Sequence, residues 1–276
     1  MRGKLTVLCE NGVYGQTGLI AEHGWSVFIE SEVGNYLFDT GQGLGLINNA
    51  RILNKDLKSI KGIILSHHHD DHTGGLAAAL EETGSKNVYC HSDIFKESYM
   101  ISSSEKRYIG IPHCKVMLEG LGANFIYNTD FIELESGMYL TGEVPRLTDF
   151  EVGDEEQVIL EGEGYSQDTL LDDQTLIIKT EQGLLIVLGC SHAGLINILN
   201  YAIKKTGEDR IFAVIGGTHL GLVGDDQKEK SIEALKEFEF AKIGVAHCTG
   251  LEVSFLLAKE YRDKFFFCNV GTVLEF

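Results

Sequence analysis

The sequence predicts an α/β fold in which short buried strands alternate with helices. One observation is a recurring unit: a buried strand ends in a polar loop that carries histidine and leads to a helix, as around His192, His219 and His247. A second is composition, because 32 glycines against 2 prolines favour many tight turns between short strands. Functional groups of α/β folds gather at strand ends, so we expect the functional site in these loops.

The first half of the chain predicts short strands separated by glycine-containing turns. We expect strands at 5–9, 25–30, 36–38, 62–65 and 88–91, and a hairpin formed by 131–134 and 138–141. A helix at 44–53 would place its apolar residues on one face, and the small residues of 75–82 predict a second helix. The ranges 92–123 and 143–173 predict irregular insertions, the first with a mobile stretch at Ser102-Ser103-Ser104.

The second half repeats the alternation. We expect strands at 175–179, 184–188, 211–215, 243–246, 265–269 and 272–276. We expect helices at 194–205, 227–238 and 251–261. No linker divides the two halves, so we expect a single domain over 1–276 that carries both insertions.

Charge and composition exclude several classes of function. The formal charge of −18 argues against a nucleic-acid partner, whose phosphates need a basic face. The segment 147–178 is rich in acids and lacks Lys and Arg, which predicts a solvated loop or a flap that binds cations or repels anions. The 6 cysteines form no Cys-x-x-Cys pair, and no export signal is visible, so we expect a reduced, cytoplasmic setting. No apolar run approaches the roughly 20 residues of a membrane span.

The most informative stretch is 66–75, which reads Ser-His-His-His-Asp-Asp-His-Thr-Gly-Gly. It holds a His-x-His-x-Asp-His pattern at His67, His69, Asp71 and His72, directly after an apolar run. A turn splays adjacent side chains, so one short loop can supply two metal positions. Imidazole nitrogens with one carboxylate suit zinc, with iron, manganese and magnesium as alternatives. We therefore expect one or two divalent metal ions.

This stretch resembles the signature of the metallo-β-lactamase superfamily. Other segments match that family's motifs in order: Phe38-Asp39-Thr40-Gly41, Gly189-Cys190-Ser191-His192 and Ala246-His247-Cys248-Thr249-Gly250. The matching elements extend over about residues 4–276. The resemblance implies a four-layer αββα sandwich, with two packed mixed sheets and outer helices.

The resemblance also implies how the ligands divide between two metals. The first metal would be bound by His67, His69 and His192, and the second by Asp71, His72 and His247. Asp39 would orient a ligand histidine by accepting a hydrogen bond from its other ring nitrogen. Many relatives carry a bridging aspartate where this chain has Gly189 and Cys190. The bridge is then lost, replaced by the Cys190 thiolate, or supplied by water.

Three residues are candidates for acting on substrate. His219 follows Gly216-Gly217-Thr218 at a strand end, and we expect it to contact substrate or transfer a proton, with metal ligation or packing as alternatives. Asp71 is expected to take part in catalysis as well as in metal binding. Arg146 borders the acidic segment, where its guanidinium would form a bidentate pair with a substrate phosphate or a surface salt bridge. The other histidines are expected to be structural or ordinary surface residues.

Several local strings resemble one subgroup, the archaeal 7,8-dihydropterin-6-methyl-4-(β-D-ribofuranosyl)aminobenzene-5′-phosphate synthases and their bacterial relatives. The strings are Gly142-Glu143-Val144-Pro145-Arg146, 172–176, 189–194, 216–220 and 247–250. Those enzymes join a dihydropterin to a ribofuranosyl aminobenzene phosphate and release pyrophosphate. The leading hypothesis is a hydrolase that acts on an ester, lactone or phosphorylated small molecule through a metal-bound hydroxide. A transferase of the synthase type, with metal-assisted pyrophosphate departure from a phosphorylated or pterin-like substrate, is the alternative.

Overall fold

The computed structural model describes residues 1–102, 105–153 and 156–276. Its strands are β1 (Gly3–Cys9), β2 (Ser26–Ser31), β3 (Gly34–Phe38), β4 (Ile60–Ile64), β5 (Lys86–Cys90), β6 (Ser98–Ile101), β7 (Lys106–Tyr108), β8 (Ala123–Tyr127), β9 (Ile132–Glu135), β10 (Met138–Leu140), β11 (Gln157–Glu161), β12 (Gly164–Gln167), β13 (Leu176–Thr180), β14 (Gly183–Val187), β15 (Ile211–Gly217), β16 (Phe240–Ala246), β17 (Phe265–Phe267) and β18 (Val273–Glu275). Its helices are α1 (Leu46–Ile52), α2 (Asp70–Thr73), α3 (Leu76–Thr83), α4 (Lys115–Gly120), α5 (Leu195–Thr206), α6 (Asp225–Leu235) and α7 (Leu251–Tyr261).

Two mixed sheets of 7 strands each form the centre of the fold. The first runs β18-β1-β2-β3-β4-β5-β8 and is parallel from β3 to β8. The second runs β17-β16-β15-β14-β13-β10-β9 and is parallel from β14 to β17. Parallel neighbours place their carboxyl ends at one edge of a sheet, so the loops after these strands can converge.

Apolar side chains of both sheets meet in one core. Trp25 and Phe38 of the first sheet belong to the same buried cluster as Leu140 and Leu185 of the second. Helices α1 and α3 cover the outer face of the first sheet, and α5, α6 and α7 cover that of the second. The predicted αββα sandwich with two mixed sheets is therefore confirmed.

The fully apolar strands explain why the centre is rigid. All five residues of β14 are buried, as expected for a strand covered on both faces by helices and by the facing sheet. In α5 the apolar residues face this sheet, whereas Lys204 and Lys205 lie in the solvated last turn. No helix among the described residues combines the length and apolarity that crossing a bilayer requires.

A third sheet lies outside the sandwich and is called the cap sheet here. Its 4 strands are antiparallel in the order β12-β11-β6-β7. They come from the ranges 92–123 and 143–173, for which the sequence predicted no regular strands. The two ranges pair with each other, because β6 hydrogen-bonds to β11. The predicted mobile stretch at Ser102-Ser103-Ser104 falls partly on Ser103 and Ser104, which lie outside the described residues.

The acidic segment was predicted to be a solvated loop or a flap that binds cations or repels anions, but four of its acids are buried. Glu151, Asp168, Asp172 and Asp173 are buried. The Glu151 carboxylate accepts hydrogen bonds from the Ile196 and Asn197 amides at the start of α5, at 2.8 and 3.0 Å. The other acids of the segment that the structure describes are exposed, and Asp154 and Glu155 lie outside the described residues. Several of these acids are therefore part of the folded interior, where they have specific partners.

Candidate metal centre

The loop 66–72, called the metal loop here, begins just after β4 and ends in the single turn of α2. His67, His69 and His192 present nitrogen atoms that lie within 4.8 Å of one another, and all three residues are buried. His67 Nε2 is 3.0 Å from His69 Nδ1. The structure thus brings together the three histidines that the resemblance assigned to one metal.

These three imidazoles are suited to be neutral ligands. Burial, with neighbouring imidazoles as a further cause, lowers the pKa of His67 and of His192 well below the usual value of 6.5. Burial also lowers the pKa of His69 well below that value. The buried His192 Nε2 has no hydrogen-bond partner among the described residues. A lone pair held in this way, without a proton donor, is what a metal ion requires.

The members of the second predicted ligand set lie beside the first but in two groups: Asp71 and His247 are grouped with His23, and His72 with His67 and Cys190. His72 Nε2 is 3.1 Å from Cys190 Sγ, and Asp71 Oδ2 is 3.0 Å from His247 Nε2. Burial raises the pKa of Asp71, but the imidazoles, His72 foremost, lower it well below 3.8, so the carboxylate is ionised. Burial lowers the pKa of His72, but the Asp39 and Asp71 carboxylates outweigh this effect and raise it to about 9. A bound cation would satisfy the same carboxylates and leave His72 neutral.

Cys190 occupies the place between the two sets. Its thiol belongs to one group with His67 and His72 and to another with His192 and His219. A Cβ on Gly189 would lie 2.3 Å from Ser66 Oγ, so position 189 has no room for the aspartate that many relatives carry. Burial raises the pKa of the Cys190 thiol, which would therefore ionise only beside a metal cation. Of the sequence alternatives for the bridge, a Cys190 thiolate would fit this placement, because its sulfur lies near candidate ligands of both sets.

Asp39 has the contacts expected of a residue that orients a ligand. Its Oδ2 accepts a hydrogen bond from His72 Nδ1 at 2.7 Å, which leaves His72 Nε2 facing Cys190. The same carboxylate accepts hydrogen bonds from the backbone amide and hydroxyl of Ser66, both at 2.7 Å. Asp39 therefore fixes the start of the metal loop and the tautomer of His72 together.

Sequence reasoning missed three residues that support the second set. Asn11 Oδ1 is 2.9 Å from His247 Nδ1. The Glu10 carboxylate accepts a hydrogen bond from the His247 backbone amide at 2.9 Å. His23, which was expected to be ordinary, places Nε2 3.2 Å from Asp71 Oδ2. Their only signal in the sequence is their position, with Glu10 and Asn11 just after β1 and His23 just before β2. Their proximity to the ligands depends on strand pairing that the sequence does not display.

His219 lies at the edge of the ligand groups. Its ring centroid is 4.2 Å from that of His192, and its nitrogen is within ligand distance of Cys190 and His192. It follows β15 with a φ of 58°, a left-handed conformation that non-glycine residues rarely adopt. Asp39, Ser191 and His247 share this conformation, with φ of 56°, 63° and 51°. Backbone strain is thus concentrated in loops that present the candidate ligands.

His68 faces away from the ligands and anchors the metal loop. Its backbone amide and Nδ1 both lie 2.8 Å from Asp172 Oδ2. Lys96 Nζ lies 2.7 Å from Oδ1 of both Asp168 and Asp172, and Asp168 Oδ2 accepts a hydrogen bond from Ser98 of β6 at 2.9 Å. A buried network therefore joins the metal loop to the cap sheet, and it uses acids that composition had placed in solvent.

One cavity opens above the ligand groups. Its walls include predicted residues of both ligand sets and also come from the cap sheet: His23, His69, Asp70, Asp71, Met100, Arg107, Ile109, Gln157, Cys190, His192, His219, Leu222, His247 and Cys248. Arg146 is not among these residues, and its Nη2 donates to the Thr169 carbonyl at 2.6 Å. Arg146 also lowers the pKa of buried Glu151 and Asp173, each of which is raised chiefly by burial. Its surroundings are those of a structural counter-charge.

The donor set fits a transition metal. Nitrogen, carboxylate oxygen and thiol sulfur atoms converge in buried groups, and the unpartnered His192 nitrogen belongs to one of them. Ligands of this mixed kind suit zinc, and the imidazole-rich first set also suits iron.

Comparison with known proteins agrees with this geometry. The family described as the metallo-beta-lactamase superfamily matches residues 19–167. The chain is 31% identical over 296 aligned residues to the 7,8-dihydropterin-6-methyl-4-(beta-D-ribofuranosyl)-aminobenzene-5'-phosphate synthase of Methanocaldococcus jannaschii, covering 99% of this chain and 96% of that protein. An uncharacterized protein of the same organism is 32% identical, with 98% and 99% covered.

A solved structure leads to the same conclusion. Tm1679, described as a metal-dependent hydrolase of the beta-lactamase superfamily, superimposes with a TM-score of 0.85 and 30% identity, and 99% of each chain is covered. The chain belongs to the metallo-β-lactamase superfamily, and within it the chain resembles the synthase. It is an enzyme of that superfamily, a metal-dependent hydrolase or a related transferase.

Proposed function

We propose that this member of the superfamily is a zinc-dependent hydrolase that cleaves an ester, lactone or phosphoester bond in a small molecule. The observation that carries the proposal is a set of overlapping groups of His, Asp and Cys side chains below one cavity, three of which, among the described residues, include Cys190. When bound, divalent metals at such a site lower the pKa of a water ligand to about 7 and polarise a phosphoryl or carbonyl oxygen.

The protein side chains supply the remaining steps of this mechanism. Asp71 is ionised and lines the cavity, so we propose that its carboxylate orients the attacking water by accepting a hydrogen bond from it, in addition to binding metal. His219 also lines the cavity; the predicted ligand sets do not include it, and its nitrogen lies beside Cys190 and His192. We therefore propose that His219 donates a hydrogen bond to the oxygen on which negative charge develops, or returns the proton to the leaving group.

The experiment is a reconstitution and substrate panel. Purified chain is loaded with Zn²⁺, Mn²⁺ or Fe²⁺ and assayed on a phosphodiester, a phosphomonoester, a lactone and an aryl ester. We expect turnover on at least one of them with two metal ions per chain, and loss of both turnover and one metal ion in the His67→Ala/His69→Ala double variant. His113→Ala is the matched control, because His113 lies outside the cavity. Unchanged metal content in the double variant would contradict the ligand assignment.

A second candidate is a transferase of the synthase type. The specific observation in its favour is 31% identity across 99% of the chain to a protein named as that synthase. In this reaction the metal site would hold a diphosphate leaving group while the dihydropterin methylene carbon bonds to the aminobenzene partner. Incubation with 6-hydroxymethyl-7,8-dihydropterin diphosphate, with and without ribofuranosyl aminobenzene 5′-phosphate, discriminates the two. A coupled product with release of pyrophosphate supports the transferase, and water-dependent cleavage without the second substrate supports the hydrolase.

A further inference from the structure

The cap sheet presents one row of side chains to the cavity. Met100 of β6 lies opposite Gln157 of β11 on one side and opposite Arg107 of β7 on the other. Residues directly opposite in antiparallel strands point to the same face of a sheet. All three residues line the cavity above the ligand groups, so this face of the cap sheet covers the site.

Arg107 is the one Lys or Arg residue among the described residues that line this cavity. Its guanidinium makes no hydrogen bond with any residue that the structure describes, and its charged neighbour in the cavity is Asp70, whose pKa is raised by burial and lowered by attraction to Arg107. Two other cations of this region have partners: Lys96 in Asp168 and Asp172, and Arg146 in the Thr169 carbonyl. Arg107 is therefore a cation above the site whose five donors are available to a ligand.

The neighbouring residue in β7 shows that this arrangement is specific to one face. Lys106 points to the opposite face of the cap sheet, where its ammonium lies 4.5 Å from the ring centroids of both Tyr99 and Tyr165. Lys106, on the outer face, therefore packs against aromatic rings, whereas Arg107, on the inner face, lines the cavity. The chain as a whole carries a formal charge of −18, so general attraction of anions to this protein is weak.

We propose that Arg107 binds an oxyanion of the substrate, a phosphate or a carboxylate, and thereby sets which molecules the metal site accepts. A planar guanidinium matches two oxygens of such a group in a bidentate pair. If the ligand groups held a metal ion, an anionic substrate in the cavity would be attracted both by that ion and by Arg107. This inference rests on the proposed function, because it assigns the charge of the substrate that the metal site would process.

The test measures binding by the metal-loaded enzyme without turnover. Isothermal titration with inorganic phosphate, pyrophosphate and acetate is compared for wild type, Arg107→Gln, Arg107→Lys and Lys106→Gln. Lys106→Gln removes the same charge one residue away on the other face, so it controls for long-range electrostatics. Loss of charge-assisted hydrogen bonds should weaken binding about 10- to 100-fold in Arg107→Gln, with a partial loss in Arg107→Lys.

The outcomes identify the kind of anion that Arg107 binds, and they test this role separately from the proposed hydrolase activity. A loss confined to phosphate and pyrophosphate identifies a phosphate subsite, and a loss confined to acetate identifies a carboxylate subsite. Equal effects of Arg107→Gln and Lys106→Gln, or no measurable binding of any of the three anions to wild type, would overturn the role of Arg107. Absence of hydrolysis across the substrate panel, together with weaker anion binding by Arg107→Gln, would reject the hydrolase and retain the anion subsite.

Discussion

Replacing Lys96 by methionine tests the buried network behind the metal loop. The Lys96 side chain is 15% exposed, and those of its partners Asp168 and Asp172 are 1% and 0% exposed. Methionine keeps the length and apolar character of the chain but removes the ammonium. Two carboxylates, held 2.7 Å from that charge in the wild type, would then lack their cation.

The expected loss in the free energy of unfolding is about 3–5 kcal/mol, the usual cost when one partner of a buried ion pair is removed. Partial compensation comes from Ser98, the Leu170 amide and His68, which already bond to these carboxylates. Asp168→Asn in the Lys96→Met background removes one uncompensated charge and should restore part of the loss. Because Asp172 holds His68, the single variant should also bind metal more weakly.

The pH dependence follows from the pKa directions. Burial lowers the pKa of Lys96, but Asp172 and Asp168 outweigh this effect and raise it above 10.5. Burial raises the pKa of Asp172, but His68 and Lys96 outweigh this effect and lower it below 3.8. The Lys96 contribution is complete below 10.5 and is lost as pH rises through the folded value. The Asp172 contribution is present above 3.8 and is lost as pH falls, so the difference between wild type and variant should be constant from about pH 5 to pH 9.

Urea unfolding followed by circular dichroism measures the change, with Lys61→Met as the control. Lys61 also lies 2.7 Å from a carboxylate, that of Glu135, but its side chain is 50% exposed. Exposed pairs contribute about 0–1 kcal/mol, so this control should remain near wild type. If Lys96→Met and Lys61→Met differ by less than about 1 kcal/mol, the network does not stabilise the metal loop as argued.

Three further predictions concern the site itself. His219→Ala should keep its metal content while turnover falls at least about tenfold, which corresponds to an increase of about 1.4 kcal/mol in the activation barrier. If metal is lost in parallel with activity, His219 is a ligand. If neither changes, His219 is a packing residue. Asn11→Ala should weaken binding of one metal about 10- to 100-fold in a chelator competition, because Asn11 fixes the His247 tautomer. The control is Asn35→Ala, at a half-buried position of β3. Anomalous diffraction should find His192 and His247 on different metals; if neither imidazole lies within about 2.5 Å of a metal, the assignment from the family is wrong.

The parts of the fold that the sequence predicted are those with strong local patterns. The strands of the two large sheets were recognised from short apolar runs, and most observed bounds differ from the expected ones by one to three residues. Strand β8 was missed, as were the four cap-sheet strands. These strands are short and largely exposed, and the two halves of the cap sheet are joined by pairing of β6 with β11, about 60 residues apart, as in the pair of Tyr99 with Val158. Composition is a poor guide there, since half-exposed antiparallel strands and polar loops have similar residues.

In the candidate site, too, the sequence predicted what lies in one local motif and missed contacts between distant segments. His67, His69, Asp71 and His72 lie in one short motif, so their proximity was visible in the sequence. Contacts between distant segments were not visible, as for Asn11 with His247 or Lys96 with Asp172. The sequence singled out Arg146 because it borders an acidic segment and did not single out Arg107, which the register of the cap sheet directs to the cavity.

The placement of strain and charge indicates how the metal centre is kept in position. Asp39, Ser191, His219 and His247 adopt left-handed φ values, and each lies in a loop that directly follows a strand of the rigid sandwich. Such conformations cost about 1–3 kcal/mol each and persist only where surrounding structure determines them. Here that determination comes from hydrogen bonds of the strained residues themselves, such as Asp39 to Ser66 and His247 to Glu10. Metal affinity should therefore depend as much on these anchors as on the ligands.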